Sequence, residues 1–452
     1  MYNENPFDRD MSDIIKPVIS IFIHSNKLKA DILVEESNVS KILKLGIFPF
    51  INVVCSPTED TILVEKLQEY QGVKLTEYSY CDNEKKNFFT LKSENFEKIV
   101  LFGEEDKKNI KYKNSDISLL DIFAAEEFDY FVINDENPIL NDDIKSQKNL
   151  VSPKYGMELI RLLLVNNKLF FVGKNFTVNE GYYYLYRFKT LFKKYQYAWS
   201  VVVSANSVIS DDFFEQFSSL SQRLEFLCRT YDNLSFHDLK KANNDTQKNT
   251  LYHFAYFIML VTGIFDDLAW IIKHLYELNL SKMEIGIKIP ENKESTKFLN
   301  NLKLVNMPIY DYLTDVDTRN LIQLFYPLRD TLQHRSFLSG VRVKNNSKNI
   351  DKNLFAVPQK TVELIKNSSV TIDDFGIVEN IGDSYYLDAH LFSYKAIQVV
   401  ADIVNTNLSL IDLERILALL DEASILSLEQ SNKDYENGLG AYLGWGSEPV
   451  YF

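Results

Sequence analysis

LYHFAYFIMLVTGIFDDLAWIIKHLYEL, residues 251–278, decides the architecture of the larger part of the chain. Its apolar positions recur with a period near 3.6, which is a helix with a wide buried face. The longest apolar run, Phe254 to Phe265, is interrupted by Thr262 and Gly263 and closed by Asp266 and Asp267. It falls short of the roughly 20 residues that a membrane span requires. Outward from this segment the same period continues. Asp211 and Asp212 precede FFEQFSSLSQRLEFLCRTY, DVDTRNLIQLFYPLRDTLQHRSFLSG follows at 315–340, and YYLDAHLFSYKAIQVVADIV and SLIDLERILALLDEAS close the series. Residues 210–430 are therefore expected to form an all-α bundle, with 431–452, rich in Gly and aromatics, as an irregular tail.

Toward the N-terminus the texture changes. Short β-branched and aromatic runs, VISIFI at 18–23, ADILV at 30–34, FPFINVV at 48–54, KIVLFG at 98–103 and DYFVIN at 129–134, alternate with helical patterns such as SNVSKILKLG and DISLLDIFAAEEF. Repeated β then α predicts an α/β domain with a parallel sheet over 1–165. Its last helix, SPKYGMELIRLLL, is opened by Ser152 and Pro153. Residues 166–209 are read as a connecting helical segment. In it GYYYLYRFKTLFKKYQYAWSVVV, 181–203, predicts one long helix whose aromatics either face a core while Arg187, Lys189, Lys193 and Lys194 are solvated, the stronger reading, or stack bases while those cations hold phosphates.

The chain has 452 residues, with 46% hydrophobic and 25% charged, so it suits two or three globular domains and excludes disorder as the main theme. Lys plus Arg is 49 against Asp plus Glu 63, a net charge of −14, so any contact with nucleic acid must be local. Cys55, Cys81 and Cys228 form no C-x-x-C pair, which excludes a disulfide framework or zinc ribbon and predicts no metal. The acidic, polar opening MYNENPFDRDMSD has no signal-peptide pattern, and the expectation is a cytoplasmic protein without cofactor or membrane contact.

One constellation carries chemistry. In LRDTLQHR, 328–335, stepping 100° per residue from Leu328 puts Leu321, Phe325, Leu332 and Arg335 near the buried stripe and Arg329, Asp330, Gln333 and His334 on the opposite arc. Those groups then point at solvent or at another subunit. Pro327 predicts a kink or restart just before them. An imidazole that titrates near neutrality and a guanidinium that never does suit attack of an RNA 2′-hydroxyl on its own neighbouring phosphate. The imidazole moves protons and the guanidinium holds the building negative charge. Asp330 is assigned an accessory role, orienting the guanidinium or the imidazole. Asp266 and Asp267 are candidates for a further acid near the site, or simply solvate the helix flank.

The R-x4-H spacing of Arg329, Asp330 and His334, trailed by basic Arg335 in a late helix of a bundle, resembles the HEPN superfamily of ribonucleases over about 210–430. That resemblance implies a metal-independent endoribonuclease, active as a homodimer with two R-x4-H helices facing across a two-fold. It also implies a bacterial toxin or phage-defence effector awaiting a trigger or regulatory partner. The polar, basic loop VKNNSKNIDKN at 343–353, with Arg342, Lys344, Lys348 and Lys352 in or beside it, is either the candidate track for the RNA backbone, led into by Arg335, or simply a solvated loop. In the first domain, the strand and acidic loop DYFVINDENPILND resemble the second half of a PIN-like nuclease, with Asp135, Asp142 and Asp143 as the matching acids. The first strand runs into His24, Ser25 and Asn26 where such a site needs a carboxylate, which implies an inactive domain. The competing reading is a non-catalytic protein whose bundle only dimerises.

Overall fold

The computed structural model describes residues 7, 19–25, 38–102 except 49, 57, 84, 85, 94 and 95, 128–132, and 150–430 except 174, 175, 291–294, 335, 336, 346–349 and 381–383, with short pieces at 444–445 and 448–449. The fold is mixed α+β and mostly helical, with small sheets. The chain divides into two compact units, Met1–Leu169 with Asn345–Ile350, and Phe170–Lys344 with Asp351–Tyr451.

In the first unit, β1 (Ile19–Ile23), β2 (Ile51–Cys55), β3 (Val73–Leu75), β7 (Tyr130–Val132) and β8 (Leu150–Val151) form a parallel sheet in the order β3-β2-β1-β7-β8. Ile21, Phe22, Val53, Val54 and Val132 are fully buried, as expected of strands covered on both faces. Helices α1 (Asn38–Lys44), α2 (Thr61–Gln68) and α3 (Pro153–Asn166) supply cover. Ser152 caps α3 by accepting the amide of Tyr155, with Pro153 at the first helical position, as the sequence predicts. KIVLFG departs from expectation. Its residues 98–102 lie in β6 (Phe96–Phe102), which pairs antiparallel with β5 (Lys86–Ser93) and through it with β4 (Glu77–Asn83), in a separate sheet. A short apolar run does not itself reveal which strands it pairs with. ADILV, DISLLDIFAAEEF up to Glu127, Asp135, Asp142 and Asp143 lie outside the described residues.

In the second unit the strands β9 (Phe171–Gly173) and β10 (Phe176–Thr177) lead to two helices where one was expected, α4 (Glu180–Leu191) and α5 (Lys193–Ser204). Phe192 leaves helical geometry at φ −104°, ψ 61° and is fully buried, so a core contact replaces helix continuity at this residue. Tyr183, Tyr184, Tyr186, Phe188 and Tyr195 are buried, which supports the reading of those aromatics as core.

The centre is a hairpin of α6 (Asp211–Asp238) and α7 (Asn244–Leu275). Ser210 caps α6, with Asp211 and Asp212 in its first turn, and Asn243 and Thr246 close a reciprocal capping box on α7. α7 is long and apolar enough to cross a membrane by length and composition, and most of its apolar window is buried inside the protein.

The later helices are α8 (Lys297–Val305), α9 (Met307–Thr314), α10 (Val316–Gln323), α11 (Phe325–His334), α12 (Gln359–Lys366) and α13 (Ala389–Leu410). Phe392 of α13 packs against Phe254 of α7, Phe325 of α11 and Phe375 at ring-centroid distances of 5.5, 6.3 and 5.0 Å. Phe265 reaches Phe325 at 6.0 Å, so aromatic contacts tie α7, α11 and α13 into one core.

The expectation of an all-α second part is corrected here. β11 (Gly340–Asn345), β12 (Ile350–Ala356), β13 (Ile377–Asn380) and β14 (Ser384–Leu387) form a four-stranded sheet in the order β11-β12-β14-β13. The segment read as a polar basic loop is therefore mostly strand. Its Asn, Lys and Asp residues suit a solvated sheet margin as well as a loop, which is why composition misled.

Candidate functional site

Helix α11 carries the predicted site. The expected break falls at Leu324, whose carbonyl accepts the hydroxyl of Thr361, and Pro327 sits in the first turn of the restarted helix, where its missing N–H costs little. Leu328 and Phe325 are fully buried, while Leu332 is half-buried. The opposite arc holds Arg329 and Asp330, both half-buried, and exposed Gln333. His334 ends the helix. Its side chain, and all of Arg335, lie outside the described residues.

That arc is not bare. Tyr326, three positions before Arg329, is only 3% exposed. The Arg329 guanidinium lies over its ring at 5.2 Å and the Lys288 ammonium at 4.4 Å from the centroid. Burial, then the nearby Asp266 carboxylate, pushes the Tyr326 phenol well above its ordinary range, so it remains a neutral hydroxyl. Asp330 joins the two cations. Arg329 Nη2 is 3.3 Å from its Oδ1 and Lys288 Nζ is 4.0 Å from its Oδ2.

Lys288 is held in place by its neighbours. Ile287 and Ile289 are buried on either side of it, and Gln323 Nε2 donates to the Ile289 carbonyl at 2.7 Å. An alternating Ile-Lys-Ile segment thus anchors its two isoleucines in the core and turns the lysine outward.

Asp266, on α7, is the acid that joins this site. It is exposed, and partial burial raises its pKa against the opposing pull of Arg329, Arg223 and Lys288. Asp267 faces inward. Arg223 Nε pairs with it at 3.1 Å, the Ser219 hydroxyl donates at 3.2 Å, and burial still raises its pKa to about 6. Gly263, one turn earlier, makes room for that pair: a Cβ there would stand 2.8 Å from Arg223 Cζ and closer still to Nη1.

Among the predicted RNA-contacting residues, Arg342 and Lys344 are exposed on β11, and Lys348 lies outside the described residues. Lys352 is committed elsewhere, in an ion pair with Asp388. Asp388 caps α13 through the amide of Leu391 at 3.0 Å, and Lys352 holds its carboxyl down to about 2. Asp238, at the end of α6, hydrogen-bonds Asp388, and burial beside that negative charge pushes its own carboxyl well up. It also accepts the His390 amide at 3.2 Å, and His390 Nδ1 meets the Ser235 hydroxyl at 2.8 Å.

Sequence reasoning missed Lys288, Tyr326, Arg223 and this acid pair. A tyrosine at i−3 from the arginine and the alternation in IGIKIP were the legible signals for the first two. Among the described residues no cluster of three or more His, Cys, Asp or Glu is placed to hold a metal. Compared with protein-family models, with curated proteins and with solved structures, the chain matches none.

Proposed function

We propose that this chain is a metal-independent endoribonuclease of the HEPN kind, in which Arg329 and His334 perform 2′-hydroxyl attack on the adjacent phosphate. The observation that carries the reading is the placement of Arg329 and Asp330 on the outward arc of α11, packed on buried Tyr326, with His334 on the same helix. Five residues on a helix separate two side chains by about 7.5 Å of rise and 140° of rotation. One copy therefore offers a phosphate either the guanidinium or the imidazole readily, but both together poorly. A homodimer with two such helices facing supplies both, Arg329 holding the phosphate and His334 moving the proton.

A surface suited to the second copy is the exposed apolar row Tyr252, Tyr256 and Met259, at i, i+4 and i+7 on the same face of α7 as Asp266. For the first unit, the parallel order β3-β2-β1-β7-β8 supports a Rossmann-like, PIN-like reading. The strand β1 ending in buried His24 and Ser25, with no carboxylate there, supports a regulatory or RNA-positioning role rather than metal-dependent cleavage. A toxin or phage-defence role fits an enzyme whose guanidinium is occupied by Asp330 at rest.

The test is incubation of purified protein with total RNA in EDTA. Cleavage should leave 2′,3′-cyclic phosphate and 5′-hydroxyl ends, spare a substrate with 2′-deoxy at the cut, and disappear in Arg329→Ala and His334→Ala. Fragments with 5′-phosphate ends, or a requirement for magnesium, would overturn the mechanism. A chain that dimerises through its helical unit but never cleaves would establish the non-catalytic reading instead.

A further inference from the structure

The grouping of Lys288 with Arg329 is not explained by packing alone. Both cations come from different segments, both cover one buried tyrosine ring, and both reach the same carboxylate, Arg329 through Oδ1 and Lys288 through Oδ2 of Asp330. A carboxylate that turns one oxygen toward each cation, at 3.3 Å and 4.0 Å, presents the two-oxygen pattern that a phosphodiester offers with its non-bridging oxygens. The lysine backbone is fixed by buried Ile287 and Ile289 and by the Gln323 hydrogen bond, so little ordering is left for binding to impose.

We infer that Lys288 and Arg329 form a two-cation clamp for a phosphodiester of single-stranded RNA, and that Asp330 is an internal stand-in for that phosphate which the RNA displaces. The clamp rests on the ribonuclease reading for the identity of its ligand and extends it. Lys288 becomes a substrate-binding residue, and Asp330 changes from an orienting group into a competitor that keeps the unliganded clamp closed to weak anions. In a protein of net charge −14, an anion that must be outcompeted at each empty clamp restricts binding to ligands offering several phosphates at once.

The experiment is fluorescence anisotropy of a labelled 2′-O-methyl oligonucleotide, which cannot be cleaved by 2′-hydroxyl attack, at a series of salt concentrations. Lys288→Gln should bind about threefold more weakly and lower the slope of log affinity against log salt by about 0.7, the loss of one single-strand phosphate contact. Lys288→Arg should restore both. Asp330→Asn should bind about threefold more tightly, since the clamp no longer carries its own anion. Because the Lys288 and Asp330 side chains both reach solvent, circular dichroism should show the variants folded, and the opposite signs of the two substitutions separate the clamp from general damage.

Lys288→Gln and Asp330→Asn both binding as wild type would overturn the clamp, as would wild-type protein that ignores the oligonucleotide at low salt. Cleavage of unmodified RNA in EDTA is scored separately. The expected binding pattern without cleavage keeps the clamp and overturns the ribonuclease reading. Cleavage with Lys288→Gln indistinguishable from wild type does the reverse.

Discussion

Replacing Gly263 by alanine sets two local effects of opposite sign against each other. Alanine in a helix interior is favoured over glycine by about 0.5–1 kcal/mol. The new Cβ, however, would occupy the place of the Arg223 guanidinium, 2.8 Å from Cζ, and drive it off Asp267. Asp267 is buried and already titrates at about 6 with that arginine beside it. Holding it ionised in the folded protein at pH 8 costs about 3 kcal/mol relative to an unfolded carboxyl near 3.8, taking about 1.4 kcal/mol per pKa unit.

The sign follows from the direction of the shift. A carboxyl raised in the folded state contributes no penalty below about pH 4, a growing one between 4 and 6, and the whole of it above 6. Without Arg223 the folded pKa climbs further and the penalty at pH 8 grows. The Arg223 side chain is 38% exposed, so its loss is discounted for solvent screening to about 1–2 kcal/mol. Gly263→Ala should therefore destabilise by about 1 kcal/mol at pH 8, or about 2–4 °C in Tm, and be neutral or stabilising at pH 5, where Asp267 is already mostly protonated.

Thermal unfolding at the two pH values measures this directly, and a cycle with Asp267→Asn isolates its cause. In the Asn background the guanidinium has no buried charge to satisfy, and Gly263→Ala should become stabilising by about 0.5–1 kcal/mol. An equal loss in both backgrounds, or a loss independent of pH, would show that the glycine serves backbone packing and would refute the account of the Arg223–Asp267 pair.

Two further predictions concern the acid pair at the head of α13. Asp238 has its carboxyl pushed up by burial and by Asp388, so it weakens the fold increasingly as pH rises above about 4; Asp388, held down to about 2, strengthens it above about 4 and loses that contribution as pH falls through 2. Asp238→Asn should thus gain stability relative to wild type as pH rises above about 4, as read by urea midpoints, and a difference that is the same at pH 3 and pH 8 would contradict the assignment. Lys352→Gln removes the partner of Asp388 and should lower Tm by about 2–4 °C while leaving RNA binding and its salt slope unchanged; an altered salt slope with unchanged Tm would return Lys352 to the RNA track.

The long helices were legible because each is amphipathic over several turns and has a cap of the expected chemistry. Ser152 with Pro153, and the acids of the first turn of α6, stand where sequence places them. Less legible was everything that depends on a partner far along the chain. Phe192 interrupts a pattern that is helical by period because its side chain is taken into the core. The sheet of β11 to β14 is built from short polar strands whose pairing no local period discloses. Asp388 reads as an ordinary cap before AHLF, and nothing in the sequence says that Asp238 will share its surroundings.

The site was half legible for a geometric reason. A helical wheel ranks residues by angle and treats the arc opposite the core as solvent, which located Arg329 and Asp330 correctly at the margin. Tyr326 lies on that same arc, about 160° from Leu328 at 100° per residue, and yet it is buried. The wheel cannot represent this because Lys288, which lies over the ring, comes from a segment outside any helix. Once the tyrosine is under the two cations, their spacing is set by a rigid ring and two anchored backbones rather than by flexible side chains alone. Position on the arc made Arg329 a candidate; the covered ring beneath it is what gives the guanidinium a defined place.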